Sequence, residues 1–237
     1  MPKYTLFLCF FLIESPLTIL FAHEEGEVTK RWISVTGNGE VEAAPDLAIL
    51  RLGVFSTAKS ASLATETNSQ SVSRIISILS KLGIDDDDYE TTRFQLTPQT
   101  QYRKGQSPLI TGYRVSNSLA VRIYDLDRVG EIMQAAIDAG GNNFESLSYV
   151  LDDSREFMEE ARVQAVEDAL AKALLMAEAL DVEVGKPLSI QEIRRGGQPY
   201  RSPMMMESSD ALHRSVPVKR PSELSVVSEV QIKFSLQ

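Results

Sequence analysis

The stretch YRVSNSLAVRI, residues 113–123, decides the fold class. Tyr113, Val115, Asn117, Leu119, Val121 and Ile123 alternate with Arg114, Ser116, Ser118 and Arg122, a period of two over eleven residues. Successive side chains of a strand point to opposite faces, so this pattern predicts a β-strand with one face on a core and the other in contact with water. Such half-buried strands belong to antiparallel sheets, since parallel strands are buried on both faces. A second run of the same kind closes the chain: Leu224–Leu236, with Val226, Val230, Ile232 and Phe234 on its apolar side.

Between and before these strands the period changes. Val72, Ile75, Ile76, Leu79 and Leu82 recur at helical spacing within 59–82, and Gly83 supplies a stop. After Asp125, a capping residue, Leu126, Val129, Ile132, Met133, Ala136 and Ile137 make the face of a second helix that ends at Gly140-Gly141. Asp153 and Glu156 have capping-box spacing and open a third helix to about Leu180. Its stripe is Phe157, Ala161, Ala165, Ala169, Ala173 and Ala177, and alanine at that spacing lets a helix lie close on a sheet. Further strands are predicted at Trp32–Ala43, Leu47–Thr57, Thr92–Tyr102, around Leu147–Leu151 and at Pro187–Ile193. The turn signal Ala44-Pro45-Asp46 predicts a hairpin between the first two. Helices on one face of a largely antiparallel sheet make an α+β fold. The order hairpin, helix, hairpin, helix, strand, helix points to a duplicated βαβ-type unit.

The N-terminus carries Lys3, an apolar run from Thr5 to Ile13 and another from Leu17 to Phe21, with Ala22 before the polar His23-Glu24-Glu25-Gly26. This is the layout of a secretory signal peptide over residues 1–22, followed by a loose segment at 23–31 and a domain at 32–237 that includes a long loop at 194–221. Glu14 and Pro16 interrupt the apolar run, which argues against a membrane anchor, and no transmembrane helix is expected after residue 22. The single cysteine, Cys9, lies inside the leader, so the mature chain is expected to be thiol-free and suited to an oxidising compartment. Thiolate chemistry and disulfides are thereby excluded. With 33 acidic against 24 basic residues and a net charge of −9, nucleic acid is an unsuitable partner.

No catalytic, cofactor-binding or metal site is assigned. Gly37-Asn38-Gly39 precedes a strand and not a helix, so it reads as a bulge or bend in the first strand and not as a phosphate loop. Asp85 to Asp88 are contiguous and cannot all face one calcium ion, so they read as a solvated loop. Met204-Met205-Met206 with His213 offers soft ligands for Cu(I) or an oxidant-scavenging cluster, against the plainer reading of an adaptable contact loop. Triad chemistry lacks a base, because only His23 and His213 exist, and no Gly-x-Ser-x-Gly elbow is present.

Ile33-Ser34-Val35-Thr36-Gly37-Asn38-Gly39-Glu40-Val41, followed by Ala44-Pro45-Asp46-Leu47-Ala48, resembles the opening signature of the SIMPL-domain family, which includes periplasmic immunogenic and oxidative-stress-defence proteins. The likeness continues through Gly83-Ile84, Phe94-Gln95-Leu96-Thr97-Pro98, Gly112-Tyr113-Arg114-Val115-Ser116-Asn117, Asp125-Leu126-Asp127 and Ala161-Arg162 with Ala165, Ala169 and Ala173. Asp181 stands where the family has glycine after the long helix. The resemblance implies an α+β fold, a periplasmic location, self-assembly into rings or channel-like oligomers in some members and a link to oxidative stress. It brings no catalytic residues. The expectation is a non-enzymatic periplasmic homo-oligomer; the readings from another class are a hydrolase with an unrecognised site and a copper-binding protein using Met204–Met206.

Overall fold

A computed structural model describes residues 31–105, 107–193, 200–201 and 219–237. The expected leader at 1–22, His23, Met204–Met206 and His213 lie outside the described residues. The elements are β1 (Trp32–Ala43), β2 (Leu47–Ala58), α1 (Ala61–Lys81), β3 (Tyr89–Gln101), β4 (Leu109–Ile123), α2 (Val129–Asp138), β5 (Asn143–Val150), α3 (Arg155–Glu178), β6 (Val184–Glu192), the two-residue β7 (Tyr200–Arg201) and β8 (Leu224–Leu236).

The α+β class is as expected, but the strands form two antiparallel sheets, each with helices on one face. The central sheet has the order β3-β4-β2-β5. Strand β4 runs antiparallel to both β2 and β3, so β2 and β3 are parallel with β4 between them. By the same reasoning β4 and β5 are parallel with β2 between them. Two interleaved βαβ units result, the split arrangement of ferredoxin-like folds. Helices α1 and α2 cover one face, burying Leu50, Leu52, Ile75, Leu79, Leu119, Ile123 and Ile132 in one core. Ser60 caps α1 by accepting from the Leu63 amide at 3.3 Å.

The terminal sheet has β8 in the middle, β1 on one side and β6 with β7 on the other. Helix α3 lies over β1 and β8, and its alanines 165, 169 and 173 meet Val35, Val230, Ile232 and Phe234. A smaller cluster of Ala43, Leu151, Leu224 and Val226 fills the end nearest the central sheet.

The predicted hairpin between β1 and β2 does not form. β1 pairs along its whole length with β8, and β2 pairs with β4 and β5. The reason lies at Asp46. Its amide donates to the Val150 carbonyl at 3.3 Å and its Oδ1 accepts from the Asp152 amide at 2.7 Å, so the Pro45 connection is tied to the β5–α3 passage and leads from one sheet to the other.

Two local readings also change. The β1–β8 register runs unbroken through Gly37 and Gly39, so no bulge exists there. These glycines instead make room for α3: a Cβ at Gly37 would sit 1.9 Å from the Ala165 carbonyl oxygen, and one at Gly39 1.9 Å from that of Ala161. At the start of α3 the N-cap is Ser154 with no side-chain bond, and Asp153 accepts from the Arg155 backbone and side chain instead of closing a capping box with Glu156. Asp181 adopts φ of 55°, so it takes the left-handed turn position where glycine is usual.

Candidate interaction surfaces

Strands β3 and β4 outrun the rest of the central sheet. The last residue of β2, Ala58, pairs with Tyr113, while β4 begins at Leu109 and β3 continues to Gln101. The end of this hairpin has neither a helix above it nor a strand beside it. There Leu109 and Ile110 are exposed, Leu109 at 59%, and farther back Phe94 and Leu96 are exposed along β3, the edge strand, where they pair with Asn117 and Val115. A two-stranded ribbon on its own is marginal in water, and this one displays large apolar side chains.

The arm is also cationic. Between Glu90 and Asp125 no acidic residue occurs; Arg103 and Lys104 lie at the tip of the arm and Arg114 beside the end of β2, whereas Arg93 and Arg122 lie farther back in the sheet, Arg122 at the junction opposite Ile49. Arg114 lies over the Phe55 ring with its guanidinium carbon 4.2 Å from the centroid. Arg103 donates to Gln101 at 3.1 Å. Arg122 pairs with Asp152 and donates to the Tyr124 hydroxyl at 3.0 Å, and the Tyr124 bond is the leading cause holding its guanidinium above its ordinary pKa.

The open face of the central sheet holds a polar pair with one buried member. Ser118, fully buried, donates to Glu145 at 2.6 Å, and Asn143 donates to the same oxygen at 3.2 Å. Glu145 stands at the β2–β5 register shift and crosses Gly53, the residue of β2 that pairs with both Ser118 and Asn143. A Cβ at position 53 would meet the Asn117 carbonyl oxygen at 2.1 Å. The pair ties β5 to β4 over a strand that lacks a side chain. A serine hydroxyl with no exposed surface and only a carboxylate partner has neither access to a substrate nor an imidazole or amine base. Sequence reasoning did not find this pair, because a serine and a glutamate 27 positions apart leave no pattern.

A second unpartnered surface lies on the terminal sheet. Helix α3 covers β1 and β8 but leaves β6 bare. Ile190 pairs with Ile232, whose side chain is under the helix, so Ile190 points to the same side, yet it is 60% exposed. Beside it runs the flank of α3 with Val163, Val166, Leu170 and Leu174, all exposed and at helical spacing. Arg162 joins the two elements by a 2.9 Å bond to Glu192. The flank carries Glu159 and Glu167 beside its exposed valines and leucines, and its Arg162 is already paired with Glu192. The α3 reading from sequence caught the buried alanine stripe; Leu170 and Leu174 are exposed residues of the flank.

On its other side α3 is pinned to β1. Asp168 accepts from the Asn38 amide at 2.8 Å and from Lys172 at 2.6 Å, and Lys172 also donates to the Thr36 carbonyl at 3.1 Å. The Lys172 bond first, then the Asn38 amide, hold the Asp168 carboxyl below its ordinary pKa. Among the described residues no group of three or more His, Cys, Asp or Glu is placed to hold a metal ion. The aspartates 86–88 form a short 3-10 turn, with Tyr89 donating to Asp86 at 3.0 Å.

Comparison with known proteins gives a consistent answer. The SIMPL family, described as a protein of unknown function (DUF541), matches residues 33–234. A 26 kDa periplasmic immunogenic protein of Brucella melitensis is 36% identical over 184 residues, covering 76% of this chain and 74% of its own. The uncharacterized protein YggE of Escherichia coli is 25% identical over 205 residues, 86% of this chain and 83% of its own. That of Edwardsiella ictaluri is 26% identical over 159 residues, 67% and 66%. None of these names states a reaction. Among the described residues no helix is long and apolar enough to cross a membrane.

Proposed function

The chain belongs to the SIMPL family, and from that premise we propose that it is a non-enzymatic periplasmic protein that works as a homo-oligomer in tolerance of oxidative or envelope stress. One observation carries the self-association: the exposed apolar surface of the β3–β4 hairpin, Phe94 and Leu96 along its edge strand and Leu109 and Ile110 at the end that extends past β2. A monomer gains nothing from displaying Phe94, Leu96, Leu109 and Ile110, and contiguous apolar surface of this kind marks protein contacts. The periplasmic assignment follows the Brucella relative and the leader-like N-terminus. Multi-angle light scattering of the purified mature protein tests the reading. A mass several times that of the chain is expected, and a single-chain mass at every concentration would refute it. A deletion strain that tolerates peroxide and envelope stress as well as its parent would remove the stress role.

A further inference from the structure

We propose that the cationic β3–β4 arm of one copy docks on the acidic α3–β6 face of a second copy, a head-to-tail contact. This rests on the self-association proposed above and assigns the surfaces that make it.

Complementarity carries the argument. The arm has an unbroken run without acid from Thr91 to Tyr124, with Arg103 and Lys104 at its tip. The α3 face is the reverse, with Glu159 and Glu167 flanking Val163, Val166 and Leu170. Both carry exposed large apolar side chains: Phe94, Leu96, Leu109 and Ile110 on one, Val166, Leu170, Leu174 and Ile190 on the other. Two matched surfaces of opposite charge give register and direction as well as attraction. Pairing either surface with its own kind would set like charges together.

Geometry requires the contact to be made in trans. β2 begins at the junction of the sheets, where Ala48 pairs with Ile123, and reaches the arm at Ala58, ten residues on, about 33 Å away at strand rise. Helix α3 starts at that junction and runs the other way along β1, Ala161 against Gly39 and Ala165 against Gly37. Both surfaces lead away from the junction, one on each sheet, and both are exposed in the single chain, so neither covers the other within it. A contact between different patches on successive copies closes a ring when its rotation closes and otherwise propagates as a filament.

The test is a charge-reversal cycle on the full chain, read by sedimentation or light scattering across concentration, with far-ultraviolet circular dichroism as the check of folding. Arg103→Glu with Lys104→Glu on the arm, and separately Glu159→Lys with Glu167→Lys on α3, are each expected to raise the self-dissociation constant at least tenfold. The four changes together are expected to restore it, because reversed charges again face each other. Leu109→Ser with Ile110→Ser, in an arm that contributes little to either core, is expected to weaken association without loss of folded signal. Wild-type affinity in either reversed variant, or no recovery in the combined one, would overturn this contact while leaving self-association through another surface. A wild-type chain that never exceeds its single-chain mass would overturn both.

Discussion

Gly37 shows how one missing side chain sets a layer spacing. The α3 backbone passes so near β1 that a Cβ at Gly37 would be 1.9 Å from the Ala165 oxygen and 2.7 Å from the Ala169 Cβ. Gly37→Ala must push the helix off the sheet, which overpacking data place at about 3 kcal/mol of lost stability. Gly83→Ala is the contrast: nothing lies within 4 Å of its Cβ, and only φ of 83° is strained, a cost of about 1 kcal/mol. Urea midpoints should separate the two variants in that order, and equal midpoints would mean α3 moves freely over β1. Asp168 secures the same contact through Lys172 and the Asn38 amide. Its folded pKa is depressed, so its contribution is complete above the ordinary carboxylate value near about 4 and is lost as pH falls through the lower folded value. Asp168→Asn should therefore be less stable than the parent at neutral pH, and the gap should close below about pH 4. Unfolding curves taken across that range would show it, and a gap independent of pH would disprove the role.

The elements with a half-buried, strictly alternating or helical pattern were readable in the sequence, because burial on one side leaves a period. The segments β4, β8, α1 and the alanine stripe of α3 are of that kind. Pairing was legible for the hairpin of β3 and β4, neighbours in sequence, and not for the strands that pair at long range. β1 and β2 sit one turn signal apart, as hairpin strands do, and only the long-range bonds of Asp46 send them to different sheets. The role of the glycines was equally hidden, since a bulge and a close helix approach both ask for a missing Cβ. The candidate surfaces were partly legible: the acid-free run around the arm is in plain view, but whether Leu96 or Leu119 faces a core depends on which strand lies at the edge of the sheet. Leu119 is fully buried on the inner strand β4, and Leu96, on the edge strand β3, is 43% exposed although its partner Val115 is fully buried. Leu119→Ala should cost about 2–5 kcal/mol, as core truncations do. Leu96→Ala should change stability by less than about 1 kcal/mol when measured on dissociated protein. Comparable losses at both sites would mean the arm is part of the core and not free.

At the scale of the whole molecule the two sheets each own a core, and among the described residues the chain passes between them at Ala44-Pro45-Asp46 and from Val150 to Ser154. These crossings lie side by side. Asp46 accepts from the Asp152 amide, and the Asp152 carboxylate in turn pairs with Arg122 of β4. Arg220, just before β8, reaches Asp127 at 3.4 Å and adds an exposed link of small value. The angle between arm and α3 face, on which any ring would depend, is thus fixed largely by one short network. Asp46→Ala removes the acceptor at its centre. The expected loss is about 1 kcal/mol in global stability, the value of a hydrogen bond whose donor regains water. The more telling effect is local. Amide exchange at residues 152–154 should accelerate at least tenfold, while Leu52 and Leu119 in one core and Val230 and Ile232 in the other stay protected. If the assembled state depends on that angle, the same variant should broaden the mass distribution although neither docking surface is touched. Exchange rising equally in both cores would show instead that the junction is part of a single cooperative unit, and the lobes could not be treated as bodies set by a hinge.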